Sequence, residues 1–379
     1  MSTPVTESEA ERNEPIARPE LCVITAWSAV SAFGVGAAPL RADYGAAAEP
    51  VSTAVGVDDW RAVLVPNFDI REELGRKGTR SLDRITGLTV TGVRGLLDEV
   101  GGRENVCAED DIALVLGTDT GSIKSMMDFT RDSIVGDKPY HVDPSHFPNA
   151  VMNCPAGRSA IWYSLRGPNA TVSAGRVAGL MALQYGSRLL RGGQADAVIS
   201  GAAEECTLNR AWLERHIRGP QAAPVRMGEG CAVFLIEPAA SAARGDRVAL
   251  ATVLSAEFAV TPPGVDAVTG MAACITAAMA ASGARFDELA VAAVSGGAEG
   301  VEAAALARIG VPEESVLDVS KPLGDTGAAA AGFAIAGILV EVGAGMRRAG
   351  LSVVTAFDRD GGMGCVVMRV HAEAEAASL

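Results

Sequence analysis

The chain has 379 residues, 49% of them hydrophobic, and a formal net charge of -14. That length allows two packed domains or one large one, and the acidity argues against a nucleic-acid partner. Seven scattered cysteines (Cys22, Cys107, Cys154, Cys206, Cys231, Cys274, Cys365) contain no C-x-x-C pair, so neither a disulfide framework nor a zinc site is suggested.

Met1 to Glu20 is polar, with Glu7, Glu9, Glu11 and Glu14, and reads as a disordered tail without a secretory leader. Leu21 to Ala26 is a continuous apolar run, the pattern of a buried strand, and Ser28 to Gly36 reads as a loop. Arg41 to Val63 shows no strong period and reads as loop with a partial helix. Leu82 to Glu99 has helical spacing, Asp111 to Gly117 reads as a strand and Gly121 to Ile134 as a helix. Pro139 to Pro155 is rich in His, Pro and Asn and reads as an irregular segment that could line a site.

The most informative stretch is Asn169 to Gly193. A short β-type run, Ala170 to Ser173, meets a turn at Ala174 and Gly175. An apolar helix from Arg176 to Leu190 follows and stops at Gly192 and Gly193. Ala197 to Gly201 is the next strand, which completes a βαβ unit of a parallel sheet. The turn into such a helix is where unpaired N–H groups stabilise negative charge, so many enzymes place a nucleophile there. Gly179, Ala182 and Gly186 share one helix face and suit close approach of another backbone. Apolar residues around the rest of the circumference predict burial on all sides. Arg176 stands at the positive end of the helix dipole, so burial there requires a carboxylate partner; at an exposed helix start it would be an ordinary surface residue.

Ala203 to Arg226 reads as polar and irregular. Strands follow at Gly228 to Glu237, Arg247 to Ser255, Leu289 to Ser295, Ser315 to Val319, Ser352 to Ala356 and Cys365 to Val370. Helices fall at Val265 to Gly283, Ala298 to Ile309 and Thr326 to Gly343. Strands and helices alternate in both halves, and each half feeds a strand into a long apolar helix. An α/β fold of two related halves, residues 21–240 and 241–379, fits this pattern. The longest apolar run, Gly327 to Val340, is too short to span a bilayer, so a cytoplasmic protein without membrane contact is expected.

The segment RGPNATVSAGRVAGLMALQYGSRLLRGGQADAVISGAAEE resembles the nucleophile segment of the β-ketoacyl synthases, whose pattern is close to GPN-x-TVSTACASG. LCVITAWSAVSAFG is similar to that family's opening strand, Gly228–Glu229–Gly230 to its GEGAG turn, Val319 to Gly327 to its lysine–serine and GH segment, and Phe357 to Gly364 to its closing GFGG loop. The motifs occur in the family's order from Leu21 to Val370. The resemblance implies a thiolase-like five-layer αβαβα fold of two related halves, and a dimer.

It also implies what is missing. The family's catalytic cysteine position holds Arg176, its first histidine falls at about Gly296, and its second is Asp325. His141, His146, His216 and His371 lie outside those motifs. An arginine cannot be deprotonated to attack a thioester. The gate position of the closing loop holds Arg359 between Asp358 and Asp360. An Arg176–Asp325 salt bridge across the old site is expected, with Asp358 and Asp360 as further partners for Arg176. Cys154, Phe357 and Lys321 are further pocket or gate candidates. Ser173 begins the turn but has no histidine in reach by motif. Gly117 to Ser125 lacks the ending of a phosphate loop, no third glycine completes a dinucleotide fingerprint at Gly34 to Gly36, and no metal-ligand cluster is visible, so no cofactor is expected.

The resemblance is strongest to the chain-length factors of type II polyketide synthases. It implies a subunit without its own condensing activity, paired with an active homologous ketosynthase and served by acyl carrier protein. Two alternatives remain open on sequence: a thiolase-fold acyltransferase or decarboxylase holding a carboxylate on Arg176, and a non-catalytic homodimer that binds acyl chains.

Overall fold

The computed structural model describes residues 21–44, 49–144, 146–219, 221, 223–297 and 300–372. The acidic tail 1–20 lies outside them. Among the described residues the main sheet has 11 strands, one of them the short Gly34–Val35 strand on the first. The others are β1 (Cys22–Ser31), β2 (Ile112–Thr118), β3 (Asn169–Ser173), β4 (Ala197–Glu204), β5 (Gly230–Pro238), β6 (Ala251–Val260), β7 (Leu289–Val294), β8 (Val316–Asp318), β9 (Gly350–Phe357) and β10 (Gly362–Val370). Their order across the sheet is β8-β7-β9-β10-β6-β1-β5-β4-β2-β3.

That order contains an internal repeat. Read outward from the centre, β1-β5-β4-β2-β3 and β6-β10-β9-β7-β8 have the same connectivity, each strand of the second half standing five places after its counterpart in the first. The two central strands pair antiparallel, with Cys22 opposite Val253, and fuse the halves into one sheet. β2 and β4 are fully buried, which explains why their sequences are unbroken apolar runs rather than alternating ones.

The longer helices are α1 (Arg84–Glu99), α2 (Ile123–Val135), α3 (Cys154–Tyr163), α4 (Ala178–Arg191), α5 (Leu208–Arg218), α6 (Ala267–Ser282), α7 (Val301–Arg308) and α8 (Ala330–Gly343). α4 and α8 form the middle layer and share one apolar core with the inner faces of both half-sheets. α1 and α3 cover the outer face of the first half, and α6 and α7 that of the second. The result is five layers, αβαβα. A side chain at Gly179 would bring a Cβ within 3.0 Å of the Ala328 carbonyl, so that glycine lets the start of α8 cross α4.

Several sequence expectations are corrected. β1 runs on to Ser31 through the stretch read as loop, because antiparallel β5 pairs with it as far as Val30. Within 41–63 the structure has a short π-helix, Leu40–Tyr44, and two strands, Ser52–Ala54 and Arg61–Val63, which join Arg226–Gly228 in a three-stranded sheet. The polar stretch 203–226 contains α5, begun by Thr207, whose side chain accepts the Arg210 N–H at 3.3 Å. The segment 139–155 ends in a 3₁₀ turn, Phe147–Ala150, and passes into α3. α4 is not buried all round: Tyr185 is 41% exposed, and Arg188 and Arg191 also face solvent. Of the helix expected at 298–309, residues 298–299 lie outside the described residues and α7 spans the rest to Arg308. Among the described residues no helix is long and apolar enough to cross a membrane.

Candidate functional site

The two middle helices begin alike. Each is preceded by one 3₁₀ turn, Gly175–Val177 before α4 and Gly327–Ala329 before α8, and each turn opens on a glycine at positive φ, 56° and 54°. Both N-termini open on one small cavity of about 50 Å³. That is room for a few water molecules and too little for an acyl chain.

Arg176 occupies the first turn at 8% exposure. Its Nη2 donates to Asp325 Oδ1 at 2.7 Å and its Nη1 to the Ser295 carbonyl at 3.3 Å. Its backbone N–H donates to Asp358 Oδ2 at 2.9 Å. Asp325 also accepts the Gly327 N–H at 3.0 Å and lies 3.4 Å from Arg218 Nη2. Each helix N-terminus is therefore already occupied by an internal carboxylate, Asp358 on α4 and Asp325 on α8.

Four guanidiniums (Arg176, Arg210, Arg218, Arg359) and five carboxylates (Asp119, Glu214, Glu302, Asp325, Asp358) line the cavity. The excess negative charge is answered by the two helix N-termini, each worth roughly half a positive charge. Arg359 makes a two-bond contact with Glu214, at 2.6 and 3.0 Å, and Arg218 adds a third to the same carboxylate at 3.2 Å. Glu302 accepts the Ser295 N–H at 2.9 Å, the Ser295 hydroxyl at 3.0 Å, the Gly297 N–H at 3.3 Å and the Thr355 hydroxyl at 2.9 Å.

The protonation pattern follows. Burial opposes the charge of Asp325, but Arg176 and then Arg210 hold its carboxyl well below the usual range. Burial likewise opposes the Arg176 charge, and Asp325 and Glu302 more than restore it. Glu204, at the end of β4 behind Asp119, is pushed up to about 8 by burial, and its Oε1 has no hydrogen-bond partner. Burial pushes Glu205 up to about 7.

The structure thus brings together Arg176, Asp325, Asp358, Arg359 and Phe357. Gly296 lies beside the cavity at φ 76°, where an added Cβ would stand 2.2 Å from Ser320 Oγ, so no histidine fits there without displacing Ser320. Asp360 is exposed, and its N–H donates to Asp358 Oδ1 at 3.1 Å. Two further candidates do not line this cavity. Cys154 starts α3 away from the cavity, its thiol pushed up by burial and 3.4 Å from Asn149 Oδ1. Lys321 is exposed on the short Ser320–Leu323 turn, and its carbonyl accepts from Arg226 at 2.5 Å. The segment 139–155 does not line the cavity, nor does any of the four histidines, and Ser173 donates to the Asp119 carbonyl at 2.8 Å. Among the described residues no three His, Cys, Asp or Glu side chains gather as a metal site.

Arg210, Glu214 and Arg218 escaped the sequence reading. They recur at every fourth residue, one face of α5, and that spacing inside a polar stretch was the available signal. Asp119 and Glu302, which line the cavity, carry no comparable mark.

Asp119, Asp358 and Arg359 also line an outer groove of about 580 Å³ beside the turn Ser173–Gly175. The Arg359–Glu214 pair stands between groove and cavity.

A family profile described as β-ketoacyl synthase, N-terminal domain, matches residues 25–242. The 3-oxoacyl-[acyl-carrier-protein] synthase 2 of Vibrio cholerae is 26% identical over 146 residues, covering 38% of this chain and 35% of that protein. The chain thus aligns with about a third of the length of the curated relatives it matches. Among solved structures, the ishigamide ketosynthase/chain length factor superposes with a TM-score of 0.84 at 37% identity, over 92% of this chain and 99% of the other. A β-ketoacyl synthase from Burkholderia phymatum superposes with a TM-score of 0.78 at 16% identity, over 93% and 100%. These likenesses agree with the five-layer thiolase-like fold.

Proposed function

Because this chain belongs to the β-ketoacyl synthase family, we propose that it is a non-condensing, ketosynthase-like subunit of the chain-length-factor type, paired with an active homologous ketosynthase that elongates chains on acyl carrier protein. One observation carries the reading: the Arg176–Asp325 bond, 2.7 Å long and buried, fills the place where a nucleophile and its histidine would have to meet. The N–H of Arg176 is already held by Asp358, so the turn offers nothing to an oxyanion. A decarboxylase or acyltransferase gripping a substrate carboxylate on Arg176 would need a free guanidinium, and this one is bound to Asp325.

The partner reading has its own support. β3 ends the sheet with an outer edge unpaired among the described residues, and Thr171 Oγ1 on it is buried without a hydrogen-bond partner. The flanking helices α3 and α4 expose Ile161 at 77% and Tyr185 at 41%. An open edge between apolar side chains suits a second chain of the same fold. Arg76, Lys77 and Arg80, exposed and without an ion pair among the described residues, form a cationic loop on an otherwise acidic chain. We assign the docking of an acidic carrier protein to that loop.

The test is direct. The purified chain, incubated with malonyl- and acyl-carrier protein, is expected to form no acyl-enzyme and release no carbon dioxide. Coexpressed with a ketosynthase that retains cysteine and both histidines, it is expected to co-purify and to change the length distribution of the products. Carbon–carbon bond formation by the chain alone would overturn the reading.

A further inference from the structure

The outer groove has a chemistry of its own. Its floor is apolar, built from Val177, Met181, Phe258 and Met363, and at about 580 Å³ it falls in the range of small-molecule sites. Its rim is acidic: Asp119, Asp358 and Asp360 all face it. The one rim cation, Arg359, has its charge taken up by Glu214 through two hydrogen bonds. Asp360 is exposed and in no ion pair among the described residues, and no side chain donates to the Asp119 carboxylate. Asp358 is held in place by two backbone N–H groups, those of Arg176 and Asp360, at 2.9 and 3.1 Å. The groove thus has an oil-like base and, at its mouth, three carboxylates against one guanidinium, with Asp360 the one of the three that no helix end or arginine holds among the described residues.

From this complementarity we propose that the outer groove is a binding site for a small amphipathic amine, a primary ammonium on an apolar tail. The tail lies on Phe258, Met363, Met181 and Val177, and the ammonium is held between the carboxylates of Asp360, Asp358 and Asp119. A carboxylate or phosphate on the same tail meets a rim where carboxylates outnumber the one guanidinium, already bound to Glu214, and is disfavoured. The inference does not rest on the chain-length-factor reading, because it concerns the groove outside the Arg359–Glu214 pair and invokes neither a partner subunit nor a carrier protein.

The experiment uses the full-length chain alone and calorimetric titration at pH 7 and low salt with three probes of equal length: hexylammonium, hexanol and hexanoate. Hexylammonium is expected to bind saturably at one site, hexanol more weakly, and hexanoate at least about tenfold more weakly than hexylammonium. Asp360→Asn, at an exposed position that leaves the fold alone, is expected to weaken hexylammonium about three- to tenfold. Asp360→Lys is expected to shift the preference toward hexanoate, and added salt to weaken hexylammonium selectively. Equal affinity for hexylammonium and hexanoate, no binding of hexylammonium, or indifference to both Asp360 substitutions would overturn the proposal.

Discussion

Substituting Asp325 by Asn tests the charge arrangement most sharply. The change keeps the side chain's shape and lets its oxygen still accept from the Gly327 N–H and Arg176 Nη2, but it removes the negative charge that balances the buried guanidinium, leaves that cation only the fields of Glu302 and Asp358, and turns an amide NH2 toward Arg218. Removing one partner of a buried pair costs about 3–5 kcal/mol. For 379 residues, at about 2.1 cal/mol/K of unfolding entropy per residue, that is a fall in melting temperature of about 4–6 °C. The paired substitution Arg176→Met with Asp325→Leu removes both charges and is expected to lie within about 1 kcal/mol of the wild type. Calorimetric melting of the wild type, Arg176→Met, Asp325→Leu and the double variant closes the cycle and gives the coupling directly. The pH dependence has a definite sign. Because Asp325 is held below the ordinary carboxylate range, the pair's contribution is complete above about pH 4 and is lost as pH falls through the folded-state value, so wild type and Asp325→Asn converge in acid. An Asn variant that melts within about 1 °C of the wild type at pH 7, or a double variant as unstable as the single, would refute the reasoning.

Other outcomes follow from the same geometry. Arg176→Cys puts a thiol where the resemblance implies the family's nucleophile but leaves Gly296 and Asp325 at the positions it implies for the histidines, so mass spectrometry is expected to find no acyl-enzyme from acyl-carrier protein; loading at a rate typical of the family would contradict the account of the site. Glu204 keeps its proton up to about pH 8 in the folded chain, while the unfolded chain gives it up near 4.5, so it erodes stability as pH rises between those values. Glu204→Gln is therefore expected to gain stability relative to wild type in urea unfolding at pH 9 compared with pH 5, and an unchanged difference would show that this carboxyl titrates normally. Reversing Arg76, Lys77 and Arg80 to Glu is expected to weaken carrier-protein affinity at least tenfold and to flatten its salt dependence; unaltered titration curves would place the docking surface elsewhere. Glu214→Gln removes the charge between Arg359 and Arg218, and is expected to make a reporter thiol at Val301→Cys several-fold more reactive to iodoacetamide by loosening the wall between groove and cavity.

Local sequence was a good guide wherever the physics is local. The run Ala170 to Gly201 announced a strand, a tight turn, a buried helix and a second strand, because period and glycine placement are properties of neighbouring residues. The need for a carboxylate beside Arg176 was legible too, since a cation at a buried helix N-terminus is costly alone. β1 was cut short because its last residues look like a loop until β5 lies beside them. α5 was missed because the residues on its inner face, Arg210 and Glu214, are charged, and hydrophobic periodicity has no mark for a helix that buries ions.

What the sequence by itself determined is the alternating α/β order; two related halves, and Arg176, Gly296 and Asp325 standing where the ketosynthases carry a cysteine and two histidines, are what its resemblance to that family implies. Tertiary structure alone decided that Asp358 occupies the Arg176 N–H, that Glu214 joins Arg359 to Arg218, and that four guanidiniums, five carboxylates and two helix ends share one small cavity. The reason is distance: hydrogen-bonded partners among these groups stand as much as 182 residues apart in sequence, and the cost of burying each charge depends on which others the fold brings within a few ångströms.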